Sequence, residues 1–275
     1  MPRKFLYSIT TGRSGTVFLN ALLKANIPNA TVYHERVGFP HFGVTCPDAS
    51  HSCGFNTVGN IAPVQQFWKR KLELDAECPS EYFVEISHFL AKAGLVENLG
   101  FLPEESEIHL VALKRDPFKI YWSYINRFDF FNSGFTWLFS LDSRYRNVII
   151  DSTPFRKEGM FGNALWYVWE VFARMEYYRL LTENVPNIIF HQVSLENLVT
   201  PQGAAKFITS FLGEPPQQIQ IPGKQNATKQ EFFGDREKEA AKQLMKTLHC
   251  DPAALGAEFF HSGRRLGTPT HLKNQ

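Results

Sequence analysis

The chain of 275 residues has little cysteine and no long apolar run. Its four cysteines are too few for the disulfide scaffold of a small secreted protein. No stretch approaches the roughly 18 apolar residues of a membrane-spanning helix, and the opening MPRKFLYSITTG lacks the apolar segment of a signal peptide. We therefore expect a soluble, cytoplasmic protein without a membrane partner.

The chain also lacks a strong net charge. Its 29 basic and 27 acidic side chains give a formal charge of +2, so no global field points to nucleic acid and any anion site must be local. Repeats, low-complexity tracts and linkers are missing from the sequence as well, which predicts a single domain over residues 1–275. The sequence does not indicate an oligomeric state.

Histidine and cysteine residues cluster between positions 41 and 53 without a metal-binding spacing. The stretch HFGVTCPDASHSC holds His41, Cys46, His51 and Cys53, but the paired CxxC or HxxxH spacing of a zinc finger is missing. We interpret residues 38–60, rich in Gly, Pro, His and Ser, as a loop insertion beside the functional site. No metal is expected.

Apolar runs alternate with helix-like periodic segments along the chain. The predicted strands are 5–10, 30–34, 82–86, 108–113 and 187–193. The predicted helices are 16–25, 60–74, 89–98, 117–127 and 162–184. This alternation predicts an α/β fold of three layers, in which helices flank a central parallel sheet.

The first predicted strand leads into a glycine-bracketed turn and a helix, in FLYSITTGRSGT at 5–16. Such a turn presents backbone N–H groups and a helix N-terminus to a phosphate. It differs from the ATP-binding GxxxxGK[ST] loop, because Thr16 follows Gly15 and no lysine is present. The cation of this loop is Arg13, whose guanidinium suits a phosphate or a sulfuryl group.

Polar residues also follow the next three strands. These residues are His34 and Glu35, then Ser87 and His88, then Arg115 with Ser123 eight positions later. Ligands of open α/β sheets bind outside the carboxyl ends of the strands. We therefore expect these side chains to meet the first loop at one nucleotide site.

The residues at these strand ends resemble those of the sulfotransferases that use 3′-phosphoadenosine 5′-phosphosulfate (PAPS). TGRSGT at 11–16 is similar to the family's phosphosulfate loop in an Arg-bearing version, and Arg115 with Ser123 is similar to its 3′-phosphate pair. The stretch VSLENLVTPQGAAKFITSFLGEPP matches a later family pattern through Glu196 and Phe211-Leu212-Gly213. The similarity spans residues 5 to about 216.

The resemblance implies a P-loop type of nucleotide-binding fold, PAPS as sulfuryl donor and adenosine 3′,5′-bisphosphate as product, without a metal. The residues it assigns to the nucleotide are Thr11, Gly12, Arg13, Ser14, Gly15, Thr16, Phe18 under the adenine, Arg115 and Ser123. We expect Arg13, the loop amides and the hydroxyls of Ser14, Thr16 and Thr11 to receive the charge that develops on the leaving 5′-phosphate.

The resemblance leaves two candidates for the general base. His88 is similar to the catalytic histidine of the cytosolic members, although the lysine of their Lys-Thr-His context is missing. Glu35 is similar to the base of the protein-tyrosine members. The catalytic set is therefore His88, Arg13 and Glu35, with the choice of base left open.

A family motif near the C-terminus, which closes over the 3′-phosphate, has no clear copy here. Two segments are candidates to replace it, PGKQNATKQ with Lys224 and Lys229, and HSGRRLG with Arg264 and Arg265. The tail after about residue 256 is expected to be weakly structured.

Two other functions fit parts of the pattern. One is a nucleotide kinase or other NTPase on a related fold, and the other is a nucleotide-binding protein without catalysis. For the leading interpretation we expect transfer to a hydroxyl or amine of a small-molecule acceptor. The aromatic segment 128–156 is then a lid or acceptor wall.

Overall fold

The computed structural model describes residues 2–130, 141–223 and 231–269. It contains a five-stranded sheet of β1 (Lys4–Thr10), β2 (Ala30–His34), β3 (Tyr82–Ile86), β4 (Glu107–Lys114) and β5 (Ile188–Ser194). The strand order is β2-β3-β1-β4-β5 and every pairing is parallel. This confirms the predicted α/β fold, and each strand begins and ends within about one residue of its predicted position.

The centre of the sheet is β1, which explains its mostly apolar character. All of its residues from Phe5 to Thr10 are buried, since helices cover both faces of a central parallel strand. Phe5 pairs with Phe83 of β3 on one side and with Ile108 of β4 on the other. The edge strands β2 and β5 are only half-buried.

The helices complete a three-layer arrangement. They are α1 (Thr16–Asn26), α2 (Ala49–Thr57), α3 (Ala62–Ala76), α4 (Leu95–Asn98), α5 (Pro117–Ile125), α6 (Thr153–Arg156), α7 (Gly159–Thr182), α8 (Leu195–Leu198), α9 (Pro201–Leu212), α10 (Asp235–Thr247) and α11 (Pro252–His261). Helices α1 and α9 pack on the sheet face that carries Leu6, while α3, α5 and α7 belong to the core on the face of Phe5. Successive side chains of a strand point to opposite faces of the sheet, so neighbouring residues of β1 belong to different cores.

Three predictions of local structure are wrong. The helix expected over 89–98 is broken into short helical turns around Gly94, whose φ of +96° ends the first turn. The stretch expected as a loop at 38–60 contains α2, with Asp48 as a side-chain cap. The tail that was expected to be weakly structured after residue 256 is helical as far as His261, where α11 ends, and α11 packs against α7.

A buried cluster of charges lies beneath the Phe5 face of the sheet. Lys71 of α3 is fully buried and contacts Asp75 and Glu85, with its Nζ 2.8 Å from Glu85 Oε2. Arg36 pairs with the same two carboxylates, at 2.8 Å from Asp75 Oδ1. Tyr7 donates its hydroxyl to Asp75 Oδ2 at 2.9 Å. We call these five residues the Lys71 cluster; it ties α3 to β1, to β3 and to the turn after β2.

Among the described residues, no helix combines the length and the apolar character needed to cross a bilayer.

Candidate active site

A cleft of about 890 Å³ opens at the carboxyl edge of the sheet. The chain segments that line it follow β1, β2, β3, β4 and β5, and α5 forms one wall. The sequence-predicted residues among its lining are Gly12, Arg13, Gly15, Thr16, Phe18, Glu35, His88, Arg115 and Ser123. The structure thus brings together residues that lie up to about a hundred positions apart in the chain.

The loop after β1 is held by internal hydrogen bonds. Ser14 Oγ donates to the carbonyl oxygen of Thr11 at 2.8 Å and lies 2.6 Å from Thr10 Oγ1. Both Thr11 and Ser14 are fully buried, so their hydroxyl groups do not face the cleft. Neither residue lines the cleft, and a role of their hydroxyls at the nucleotide stays a prediction.

Two glycines permit close contacts on either side of this loop. A Cβ atom at Gly12 would lie 2.8 Å from Tyr124 Oη and 3.6 Å from His88 Nε2. A Cβ atom at Gly15, whose φ is +106°, would lie 2.7 Å from Leu195 Cδ1. The loop therefore fits between α5 and the residue that follows β5, and a larger residue at either glycine would displace it.

Replacement of Gly15 by alanine is expected to destabilise the protein by about 1–3 kcal/mol and to weaken nucleotide binding, because it adds steric crowding to a strained φ. Gly263→Ala is the matched control. Gly263 has a similar φ of +80° but no heavy atom within 4 Å of the added Cβ. Chemical unfolding and calorimetric binding of adenosine 3′,5′-bisphosphate would separate the two variants, and equal effects would contradict a crowding role for Leu195.

Arg13 and the predicted 3′-phosphate pair are in direct contact. Arg13 Nε donates to Ser123 Oγ at 2.8 Å, and Arg115 Nη1 donates to the carbonyl oxygen of Arg13 at 2.9 Å. Desolvation and the nearby charge of Arg127 lower the pKa of Arg13. The concentration of positive charge in a partly buried cleft suits a ligand with more than one anionic group.

An aromatic wall borders this cationic region. Phe18 of α1 lines the cleft and is almost fully buried. Trp122 and Phe118 of α5 also line it, with near-parallel rings whose centroids are 6.3 Å apart. Lys238 of α10 lies over Trp122, its Nζ 5.7 Å from the ring centroid. The sequence arguments missed Trp122 and Lys238, although the position of Trp122 beside Ser123 was an available signal.

The two candidate bases face each other across the cleft floor. Glu35 Oε1 lies 3.8 Å from His88 Nε2, 3.7 Å from His34 Nε2 and 3.5 Å from Thr16 Oγ1. His34 Nε2 is in turn 3.1 Å from Thr16 Oγ1. Glu35 has a φ of +41°, an uncommon value for a side chain of its size, and its N–H donates to Ile86 O at 3.0 Å.

Burial changes the acidity of both candidates. Desolvation raises the pKa of the Glu35 carboxyl, and Lys92, Thr16 and Arg13 partly offset that rise. Desolvation also lowers the pKa of the His88 imidazole well below its ordinary value, and the charges of Lys92 and His34 add to that effect. His88 is therefore neutral near pH 7, and the Glu35 carboxyl titrates nearer to neutrality than an exposed glutamate.

Lys92 was not predicted as a site residue, yet it contacts His88 from behind. Its Nζ lies 3.0 Å from His88 Nδ1 and donates to the hydroxyl of Tyr167 in α7. Lys92 is 2% exposed, and burial lowers the pKa of its amine well below the ordinary value. The four-residue spacing from His88 was an available signal, but the contact with Tyr167 depends on how α7 packs against the turn after β3.

Several predicted positions lie away from the cleft. Arg264 and Arg265 stack on Phe259 and Phe260, and Lys224 and Lys229 fall outside the described residues. Asp129 is the only residue that lines the cleft among the described residues of the segments 38–60 and 128–156. Positions 131–140 of the expected lid are outside the described residues too.

No group of three or more metal-ligating side chains is found within residues 2–130, 141–223 and 231–269.

Two solved structures are similar to this chain over nearly its whole length. The sulfotransferase domain from the curacin biosynthetic pathway is 13% identical, with a TM-score of 0.44 and coverage of 96% of this chain and 99% of that chain. The sulfotransferase from Alicyclobacillus acidocaldarius is 16% identical, with a TM-score of 0.43 and coverage of 93% and 98%. No family model and no curated protein matches the chain.

Proposed function

We propose that this protein is a sulfotransferase that moves the sulfuryl group of PAPS to a hydroxyl or amine of a small-molecule acceptor. The observation that carries the proposal is the contact of Arg13 with both Ser123 and Arg115, at 2.8 and 2.9 Å. These contacts connect the loop after β1, which suits one phosphate, with the Arg115–Ser123 site, which suits a second phosphate. A nucleotide with anionic groups on both its 5′ and 3′ positions matches that pairing.

The residues of the cleft fit this donor in charge and in shape. Arg13 and the N-terminus of α1 would hold the 5′-phosphosulfate, and Arg115 with Ser123 would hold the 3′-phosphate. Phe18 and Trp122 offer ring faces for the adenine. Lys238, over Trp122, is a candidate for the cation that the missing C-terminal motif supplies in other members of the family.

Transfer of the sulfuryl group is an in-line displacement, in which positioning and charge stabilisation carry most of the catalysis. The acceptor oxygen or nitrogen forms a bond to sulfur while the bond from sulfur to the bridging oxygen breaks. Arg13 and the loop N–H groups stabilise the negative charge that develops on the departing 5′-phosphate. Glu35 or His88 accepts the proton that the acceptor loses, a contribution of about 10²–10⁴-fold.

The chain offers less support for a kinase or an NTPase. Thr16 occupies the position where an ATP-binding loop carries its lysine, and the end of β4 carries Lys114 and Arg115 where a magnesium-binding carboxylate would be needed. A binding protein without catalysis would not need ionisable groups of the kind found at Glu35 and His88. Their presence in the same cleft as Arg13 favours an enzyme.

Calorimetry and a transfer assay test the proposal together. We expect adenosine 3′,5′-bisphosphate to bind without metal, and ATP with Mg²⁺ to bind far more weakly. In single-turnover reactions with ³⁵S-labelled PAPS, we expect label in an acceptor from a panel of phenols, alcohols and amines. Tight binding of ATP–Mg²⁺ with no response to the bisphosphate would favour the kinase. Bisphosphate binding without transfer to any acceptor would favour the non-catalytic protein.

A further inference from the structure

A buried amine sits behind the imidazole of His88. Lys92 Nζ lies 3.0 Å from His88 Nδ1, and its other partner is the hydroxyl of Tyr167. The short turn Leu90–Ala93 holds the backbone of Lys92 in place, where its carbonyl accepts hydrogen bonds from Asn56 Nδ2 at 2.9 Å and Arg174 Nη1 at 3.4 Å. Both ends of Lys92 are therefore fixed inside the protein.

The hydrogen bond to Lys92 bears on which nitrogen of His88 carries a proton. An ammonium has three N–H donors and no acceptor, and a neutral amine has two N–H donors and one acceptor lone pair, so in either state an N–H is available for each of the two partners. A neutral imidazole has one N–H donor and one acceptor nitrogen. If Nδ1 accepts from Lys92, the proton of the ring must be on Nε2.

We propose that Lys92 is a positioning residue that holds His88 in the Nε2–H tautomer, so that Glu35 and not His88 accepts the proton of the acceptor. This inference rests on the proposed sulfotransferase function. It assigns His88 the role of a hydrogen-bond donor at the reaction centre and chooses between the two bases that the sequence left open.

The surroundings of Glu35 support this assignment. Its carboxylate is about a quarter exposed and lines the cleft, so an acceptor can reach it. The groups around it are the imidazoles of His34 and His88, the hydroxyl of Thr16, and the cations Arg13 and Lys92. An Nε2–H on His88 would point toward this carboxylate, whereas a lone pair on the same nitrogen would face it unfavourably.

One interaction opposes the assignment and makes the test necessary. The backbone carbonyl of His88 raises the pKa of its own imidazole, the effect of an acceptor close to a ring N–H. Desolvation is the largest influence and keeps the ring neutral.

Nitrogen NMR of the full chain with ¹⁵N-labelled histidine reads the tautomer directly. We expect the wild-type protein, near neutral pH and without ligand, to carry the His88 proton on Nε2, with the signal assigned by its loss in His88→Gln. In Lys92→Met we expect the proton to shift toward Nδ1. A wild-type spectrum with the proton on Nδ1 would overturn the inference, and this readout needs no enzymatic activity.

Kinetics supply the second test. We expect Glu35→Gln to lower kcat by about 10²–10⁴-fold while binding of adenosine 3′,5′-bisphosphate is retained. His88→Gln keeps an N–H donor and should lose about tenfold or less. If His88→Gln loses as much as Glu35→Gln, the assignment of the base is wrong. If the wild-type protein transfers no sulfuryl group at all, the proposed function fails, and the NMR result still stands on its own.

The pH dependence of kcat tests whether Lys92 affects the reacting groups or only the stability of the fold. Glu35 must be ionised to act, so activity falls as the pH drops through its raised pKa. Lys92 lowers that pKa, so the acid limb of kcat should move to higher pH in Lys92→Met. If the acid limb of the kcat profile stays in place in a folded Lys92→Met protein, the expected effect of Lys92 on the ionisation of Glu35 is contradicted.

Discussion

Replacement of Arg13 by alanine is expected to lower kcat/KM by about 10²–10³-fold, the effect of removing one preorganised donor from a developing oxyanion. Arg13 connects the two anion sites, because its Nε bonds Ser123 and its carbonyl oxygen accepts from Arg115. Its loss should therefore weaken binding of adenosine 3′,5′-bisphosphate as well as turnover. Calorimetry with this nucleotide and steady-state transfer from PAPS measure the two effects.

Two further variants serve as comparisons for Arg13→Ala. Arg70→Ala removes an exposed arginine of α3 and should change neither quantity. Arg115→Ala should weaken the bisphosphate more than adenosine 5′-monophosphate, because only the former has the 3′-phosphate assigned to Arg115. If Arg13→Ala leaves nucleotide affinity and turnover near the wild-type values, the loop after β1 is not the phosphosulfate site.

Replacement of Lys71 by methionine is expected to lower the free energy of unfolding by about 3–5 kcal/mol, as for other buried ion pairs that lose one partner. Methionine has a similar length, so the change mainly removes charge. Asp75 and Glu85 would then share Arg36 as their cation within the Lys71 cluster, and both carboxylates are essentially inaccessible to water. Urea unfolding monitored by circular dichroism measures the loss.

The exposed pair of α10 provides the control. Lys242 lies 3.2 Å from Glu239, and both side chains are about half exposed. Surface pairs of this kind contribute little, so Lys242→Met should change the free energy of unfolding by about 0.5 kcal/mol or less. Equal effects of the two lysine replacements would show that burial does not make the Lys71 cluster important for stability.

Much of the fold and the core of the site could be predicted from the sequence because both depend on local signals. The strand β1 is buried on both faces, so its sequence from Phe5 onward is mostly apolar. In a parallel sheet every strand end meets the same edge, so the polar residues after each run had to converge. Arg13, Glu35, His88 and Arg115 were found in this way, and all four line the cleft.

The remainder depends on tertiary contacts that no short window contains. The pattern at 89–98 is apolar enough for one helix, but the fold breaks it at Gly94, where an added Cβ would lie 2.8 Å from the ring of Phe55. Lys92 gains its position from His88 and from Tyr167, which lies 75 residues further along the chain. Ser14 turns inward onto Thr10 and Thr11, and the Thr10 hydroxyl is fixed in turn by its hydrogen bond to the carbonyl oxygen of Leu113 in β4, at 2.9 Å.

The loop after β1 lies between Tyr124 on one side and Leu195 on the other, and this has a consequence for how the protein matures. During synthesis the ribosome releases the loop long before either of those residues exists. The contact between the loop and Leu195 can form only after the chain has been made past that residue. A truncated product that stops before that residue should be unable to capture the nucleotide, although it would carry every amino acid of the Arg13 loop.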